Sequence, residues 1–204
     1  MTETVSGIDV SHWQGSVDWS AVKGSGVDFG IAKATEGVNT VDSEFAANWS
    51  GMGDAGILRG AYHFYTVGKD PQAQADHFMS VVTLGSGDLP PTVDIETESA
   101  GAESDANLIK DLHTFLDLLK QNYGADPFIY TGPGFWNAHF DDSFSGYPLW
   151  VAEYGVSQPK PVTGWTYWTI WQHSQTGSVP GVAGNVDLDT FNGGLDQLKK
   201  FLIS

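Results

Sequence analysis

Two carboxylates stand two residues apart in Pro90-Pro91-Thr92-Val93-Asp94-Ile95-Glu96, inside a run that is otherwise apolar and β-prone. Side chains alternate faces along a strand, so Asp94 and Glu96 share one face and Val93 and Ile95 the other, with the Cα atoms roughly 6.7 Å apart. Like charges on one face raise each other's pKa, and burial raises it further. One carboxyl can then stay protonated as a general acid while its neighbour remains ionised, the division of labour that glycoside cleavage uses. The plain alternative is an exposed edge strand with solvated charges. Val93, Ile95 and the Pro90-Pro91 entry speak against it. Alone, Asp-Ile-Glu is a weak motif, and its weight depends on what other strands bring to it.

Alternating segments supply such partners. Val5 to Val10 reads as a first strand with Asp9 on the face opposite Ile8 and Val10. Val27 to Thr35 is a second, ending in Glu36-Gly37, and Ile57 to Tyr65 a third, crowded at its far end with Tyr62-His63-Phe64-Tyr65. The Asp-Ile-Glu strand is fourth, Phe128 to Thr131 fifth, Leu149 to Ala152 sixth, Thr166 to Gln172 seventh and Val186 to Asp189 eighth.

Helices fall between the early strands. Asp18 to Lys23 forms a short turn, and Asp42 is placed to cap a helix bearing Phe45, Trp49 and Met52 on one stripe, stopped by Gly56. Asp70-Pro71 opens another over Ala75, Phe78, Met79 and Val82. Leu108, Leu112, Phe115 and Leu119 mark the longest, running to about Tyr123 with Gly124 as its stop. Leu195, Leu198, Phe201 and Leu202 form a closing helix. Between the last strands the helical pattern nearly vanishes. The βα alternation through the fifth strand predicts an α/β chain with a mostly parallel sheet. Eight strands predict a barrel, although 204 residues is below the roughly 250 of a complete (β/α)8 barrel.

In a parallel barrel the working groups gather at the C-terminal ends of the strands. That rule brings Asp9, Tyr62, Asp94, Glu96, Tyr130, Glu153, Tyr154, Trp171, Gln172 and Asp187 to one rim, acids facing aromatics. The combination suits a carbohydrate cleft: carboxylates for acid chemistry and for sugar hydroxyls, flat rings for sugar faces.

Composition narrows the partners. A net charge of −16 disfavours nucleic acid and anionic membrane surfaces. Hydrophobic content is 41% without a long apolar run, so no segment is expected to span a membrane. Met1-Thr2-Glu3-Thr4 has no signal-peptide character, which predicts either a removed leader or export by another route. With no Cys, disulfide and thiolate chemistry are excluded. The histidines at 12, 63, 77, 113, 139 and 173 lack paired helical ligand spacing, so neither a metal nor another cofactor is expected. His12 and His63 read as hydrogen-bonded rim residues. Ser11 has no nucleophile-elbow context. Lys33 and Glu36 read as a strand-end ion pair that could also form part of the cleft wall. Asp189 shares a face with Asp187, and the Val-Asp-Leu-Asp alternation could turn both to solvent.

Seven ordered motifs resemble glycoside hydrolase family 25, the Chalaropsis-type lysozymes: Gly7-Ile8-Asp9-Val10-Ser11, Lys33-Ala34-Thr35-Glu36-Gly37, Gly60-Ala61-Tyr62-His63-Phe64, Val93-Asp94-Ile95-Glu96, Leu149-Trp150-Val151-Ala152-Glu153-Tyr154, Ile170-Trp171-Gln172 and Gly184-Asn185-Val186-Asp187-Leu188-Asp189. The resemblance spans Gly7 to Phe191. It implies a modified (β/α) barrel, five βα units followed by three strands with little helix. It also implies hydrolysis of the β-1,4 bond between N-acetylmuramic acid and N-acetylglucosamine in bacterial peptidoglycan. Glu96 matches the general acid/base, Asp94 the carboxylate that assists at the anomeric centre, and Asp9 and Asp187 the remaining acids. Tyr62 and Trp171 match aromatic positions around the substrate, where Tyr130, Glu153 and Tyr154 are also placed.

The expected protein is a single catalytic domain over residues 1–204, with its barrel from about residue 5, no added wall-binding repeats and a monomeric state. It is expected to act outside the cell, secreted or released as an endolysin. Two rivals remain at this level. A chitinase-like enzyme would use a similar acidic strand end, but Thr92 and Val93 stand where a fuller run of spaced aspartates would be needed. A non-catalytic sugar-binding module would have little reason to keep four mutually repelling carboxylates.

Overall fold

The structure, a computed structural model, describes residues 4–97 and 104–204. Its strands are β1 (Val5–Val10), β2 (Phe29–Glu36), β3 (Thr40–Val41), β4 (Leu58–Phe64), β5 (Thr92–Asp94), β6 (Phe128–Thr131), β7 (Leu149–Ala152), β8 (Ile170–Gly177) and β9 (Val186–Phe191). The helices are α1 (Trp19–Gly24), α2 (Phe45–Asp54), α3 (Pro71–Val81), α4 (Asp105–Tyr123), α5 (Pro133–His139) and α6 (Leu195–Leu198). The order β1-β9-β8-β7-β6-β5-β4-β2 closes on itself through β1–β2 pairing, and β3 hangs on β2 as a short hairpin partner.

Five βα units (β1α1, β2α2, β4α3, β5α4 and β6α5) precede β7, β8 and β9, which follow one another without an intervening α-helix. The ring is parallel from β1 through β2, β4, β5, β6 and β7 to β8. β9 runs antiparallel to both its neighbours.

Alternation along the strands separates two apolar layers. Ile8, Val10, Val93, Ile129 and Val151 face outward and pack under the helices with Trp19, Met52, Phe78, Leu112 and Phe115. Phe29, Ile31, Phe128, Trp150, Ile170 and Phe191 fill the barrel, with Leu198 of α6 in the same cluster. Gly7 is required where β1 passes Phe29, because a Cβ there would lie 2.2 Å from the ring. The longest helix, α4, buries Leu108, Leu112, Phe115, Leu116 and Leu119 and ends at Gly124, whose φ of 72° needs no Cβ. Truncating Leu112 to Ala would cost about 2–5 kcal/mol through lost burial and the cavity left behind.

Several local expectations are corrected. Asp42 does not cap α2: its Oδ1 accepts from Glu44 N–H at 3.0 Å, and the helix starts at Phe45. Its Oδ2 instead takes the backbone N–H of His12 and sits 2.8 Å from that ring's Nδ1, tying the loop after β1 to the start of α2. The seventh strand begins at Ile170, not Thr166, and runs on to Gly177. α5 was not read from the sequence, and the closing helix is only Leu195–Leu198 followed by a 3-10 turn. His63 is no rim residue. It points into the outer layer, fully buried, with Nδ1 2.7 Å from Thr35 Oγ1 and Nε2 3.2 Å from Gln74 Oε1, and burial drops its pKa to about 3.

Candidate active site

At the rim where the parallel strands end, a cleft of about 280 Å³ is lined by Asp9, Tyr62, Asp94, Glu96, Tyr130, Tyr154 and Asp187, joined by Lys33, Gln172 and Trp13 among others. The lining residues that lie on strands arrive there by inward parity. Asp9 is the next-to-last residue of β1, Asp94 ends β5 in register with Tyr130 of β6, and Tyr62 comes from β4. Glu96 lies two residues past Asp94, beyond the end of β5, and lines the same cleft. Asp187 reaches the rim by another route. It sits near the start of β9, and because β9 runs backwards that start lies at the same end of the barrel, directly opposite Asp9.

One hydrogen-bonded chain braces the floor. Gln172 Nε2 donates to Asp9 Oδ2 at 2.6 Å, and Gln172 Oε1 accepts from Tyr130 Oη at 2.8 Å and from Tyr154 Oη. Below it, Trp150 Nε1 donates to Asp189 Oδ1 at 2.9 Å. On the opposite wall Lys33 Nζ is 2.6 Å from Glu36 Oε2 and 4.8 Å from the centre of the Phe64 ring. The strand-end ion pair and the cleft-wall position of Lys33 therefore coexist.

Burial is the main cause of every carboxyl shift in the cleft. It raises Asp94 well above the usual range, with Glu96 adding repulsion and Lys33 relieving part of it. Glu96, less deeply placed, is raised by burial and likewise relieved by Lys33. Asp187 is pushed up to about 6 by burial and by Glu96. This amends the simple division expected from sequence, because burial raises both carboxyls of the pair and acts most strongly on Asp94. Asp94 Oδ1 is buried without a hydrogen-bond partner among the described residues.

Two positions expected at the substrate face elsewhere. Glu153 is taken by Lys160, whose Nζ lies 2.8 Å from Oε1 and whose backbone N–H donates to Oε2 at 2.6 Å. Trp171 has the outward parity of β8, packs in the outer layer near Trp168, and donates Nε1 to the Glu153 carbonyl at 2.8 Å. Its neighbour Gln172, two positions along from the interior Ile170, is the cleft residue. Parity with Ile170 was the available signal. Trp13, with 82% of its surface exposed beside the cleft, and Trp150, inside it, were also missed. Among the described residues no cluster of His, Cys, Asp or Glu could hold a metal, and no helix is long and apolar enough to cross a membrane.

A barrel that gathers four carboxyls and three tyrosines around one groove defines an acid/base glycoside hydrolase more readily than a binding module, since each buried acid costs stability that only chemistry repays. Family comparison makes the class specific: residues 8–182 match the model of glycosyl hydrolases family 25, and the chain belongs to that family. The matched stretch ends before β9, so the place of Asp187 in the site rests on its geometry. Lysozyme M1 of Streptomyces globisporus is 43% identical over 97% of this chain and 71% of its own length. The N,O-diacetylmuramidase of Chalaropsis sp is 32% identical over 97% of this chain and 98% of its own. The crystal structure of a bacterial lysozyme from Streptomyces coelicolor superposes with a TM-score of 0.94 at 40% identity, covering 99% of this chain and 98% of that one.

Proposed function

We propose that the protein hydrolyses the β-1,4 bond between N-acetylmuramic acid and N-acetylglucosamine in peptidoglycan, with retention and with the substrate's own 2-acetamido group as nucleophile. Family membership and the lysozyme and muramidase relatives support the substrate class and a place of action at the cell wall. The observation that carries the mechanism is the orphan acceptor: Asp94 lines the cleft, yet its buried Oδ1 takes no hydrogen bond from the described residues. An acetamido N–H of a bound sugar is a donor of the right kind. A hydrogen bond to the ionised form favours that form, so binding would turn Asp94 into the carboxylate and leave the proton of the pair on Glu96.

Glu96 then donates to the departing glycosidic oxygen while the acetamido oxygen attacks the anomeric carbon. Asp94 holds the acetamido N–H and offsets the positive charge that develops on the cyclised group. Glu96, now ionised, takes a proton from the water that opens this intermediate, and the new reducing end emerges in the β configuration. Asp9 and Asp187 hold sugar hydroxyls and set the potential around the pair. Tyr62, Tyr130 and Tyr154 shape the groove.

Mass spectrometry of peptidoglycan digested by the protein tests the bond. Muropeptides ending in reducing N-acetylmuramic acid are expected. Reducing N-acetylglucosamine would contradict the assignment.

A further inference from the structure

Asp189 is 1% exposed and lies inside the barrel, one inward position below Asp187 on β9, in register with Gly7 of β1 and Gln172 of β8. Its Oδ1 accepts from Trp150 Nε1. No N–H group or hydroxyl of the described residues donates to Oδ2, and the register places the side chain beside Asp9 on the inward face, next to the Gln172 that donates to Asp9, so that the two carboxyls act on each other. Asp9 already accepts from Gln172. If both carboxyls were ionised, two acceptors would stand side by side in a buried interior, each repelling the other and one left unsatisfied, which is strongly unfavourable. A proton between them satisfies Oδ2 and halves the charge.

We propose that Asp9 and Asp189 share one proton inside the barrel, and that Asp189 is a positioning residue that fixes how Asp9 meets the substrate. Other groups offer no substitute for that proton. The acids acting on Asp9 are Asp187 and Asp189 of β9 and Asp94 of β5, all repulsive, and the neutral Gln172 of β8 relieves them in part. Tyr62 of β4 and Tyr130 of β6 border the same space as neutral phenols, held so by burial and by these acids. Lys33 of β2 acts on Asp94 and Glu96. Trp150 of β7 donates to Asp189 Oδ1, and Oδ2 is left without a donor among the described residues. Held by Gln172 on one side and by the shared proton on another, the Asp9 carboxyl cannot rotate freely, and the pair presents one negative charge to the cleft instead of two.

The inference deepens the reading of Asp9 as a site residue, and its first readout does not depend on that reading. In the Asp94→Asn background, which removes the other strongly shifted buried acid, infrared spectra of protein labelled with carboxyl-13C aspartate at about pH 7.5 should contain the carbonyl stretch of a protonated carboxyl. The band should vanish when Asp189→Asn is added. A spectrum without that band, or a band indifferent to Asp189→Asn, would overturn the shared proton. The second readout is kinetic. Asp189→Asn supplies a permanent N–H toward Asp9 while its Oδ1 still accepts from Trp150, whereas Asp189→Leu supplies no donor. The Asn variant should exceed the Leu variant at least tenfold in kcat, and its activity should persist to higher pH than that of the unsubstituted protein. Equal losses in the two variants with an unshifted pH profile would show that Asp189 only fills space. Should the Leu variant not fold, the infrared result and the pH profile of the Asn variant still decide.

Discussion

Asp9 and Asp187 are register partners across the antiparallel β1–β9 ladder, so two acids from opposite ends of the sequence meet at the mouth of the barrel. Directly opposed like charges destabilise a ladder. Here burial and Glu96 push Asp187 to about 6, and burial with Asp189 and Asp187 raises Asp9 well above the ordinary range. The fold thus carries a local penalty at the place where the sugar hydroxyls would bind.

Glu96→Gln should remove general acid catalysis and lower kcat by at least about 10²–10⁴-fold, with fold and ligand binding kept. Asp9→Asn and Asp187→Asn should cost less, because they position and tune more than they transfer protons. Steady-state kinetics on soluble glycan fragments checks the order. Substantial hydrolysis by Glu96→Gln, with contamination excluded, would remove Glu96 from the role.

Asp94 gives a stability prediction opposite in sign to its activity. Its folded pKa is raised by burial above the unfolded value, so its contribution is fully present below the unfolded pKa and is lost as pH rises through the folded one. The wild type should therefore lose Tm on the alkaline side. Asp94→Asn should have a higher Tm than the wild type at about pH 8, by about 2–4 °C per kcal/mol recovered for a chain of this size, while losing turnover. Calorimetry showing no alkaline gain would mean that Asp94 is not held protonated by burial.

Much of this site was legible in the strand alternation. Asp9, Tyr62, Asp94 and Tyr130 sit on parallel strands, where inward parity and the C-terminal end coincide, so pattern alone placed them. Asp187 reached the same rim for a reason the pattern did not contain, since the reversal of β9 is invisible in a run as short as Val186–Phe191. Trp171 was preferred over Gln172 by chemical type, when parity with Ile170 pointed the other way. Glu153 looked free because Lys160, its partner, follows in a loop with no regular spacing. α5 escaped notice because Pro133-Gly134 reads as a turn, and its Pro is in fact the first helical residue.

The net charge of −16 faces walls that are commonly anionic, so long-range repulsion should slow encounter at low ionic strength and screening should relieve it. Lysis of whole cells should rise from low to moderate salt, while hydrolysis of short neutral fragments should change little. A whole-cell rate that falls steadily from the lowest salt upward would show that attraction governs encounter.

Replacing the 2-acetamido group of the sugar whose bond is cut by a hydroxyl removes both the internal nucleophile and the N–H donor for Asp94 Oδ1. Such an analogue should be essentially inert, with kcat/KM down at least about 10³-fold, comparable with the loss of a positioned catalytic group. Efficient turnover would make Asp94 itself the nucleophile.

Retention through the acetamido group is tested most directly by proton NMR of the anomeric region during the first minutes of hydrolysis, before mutarotation mixes the products. The β-anomer of the new reducing end should appear first and decay toward equilibrium. Initial appearance of the α-anomer would contradict the mechanism, placing an activated water where the acetamido oxygen is proposed to attack.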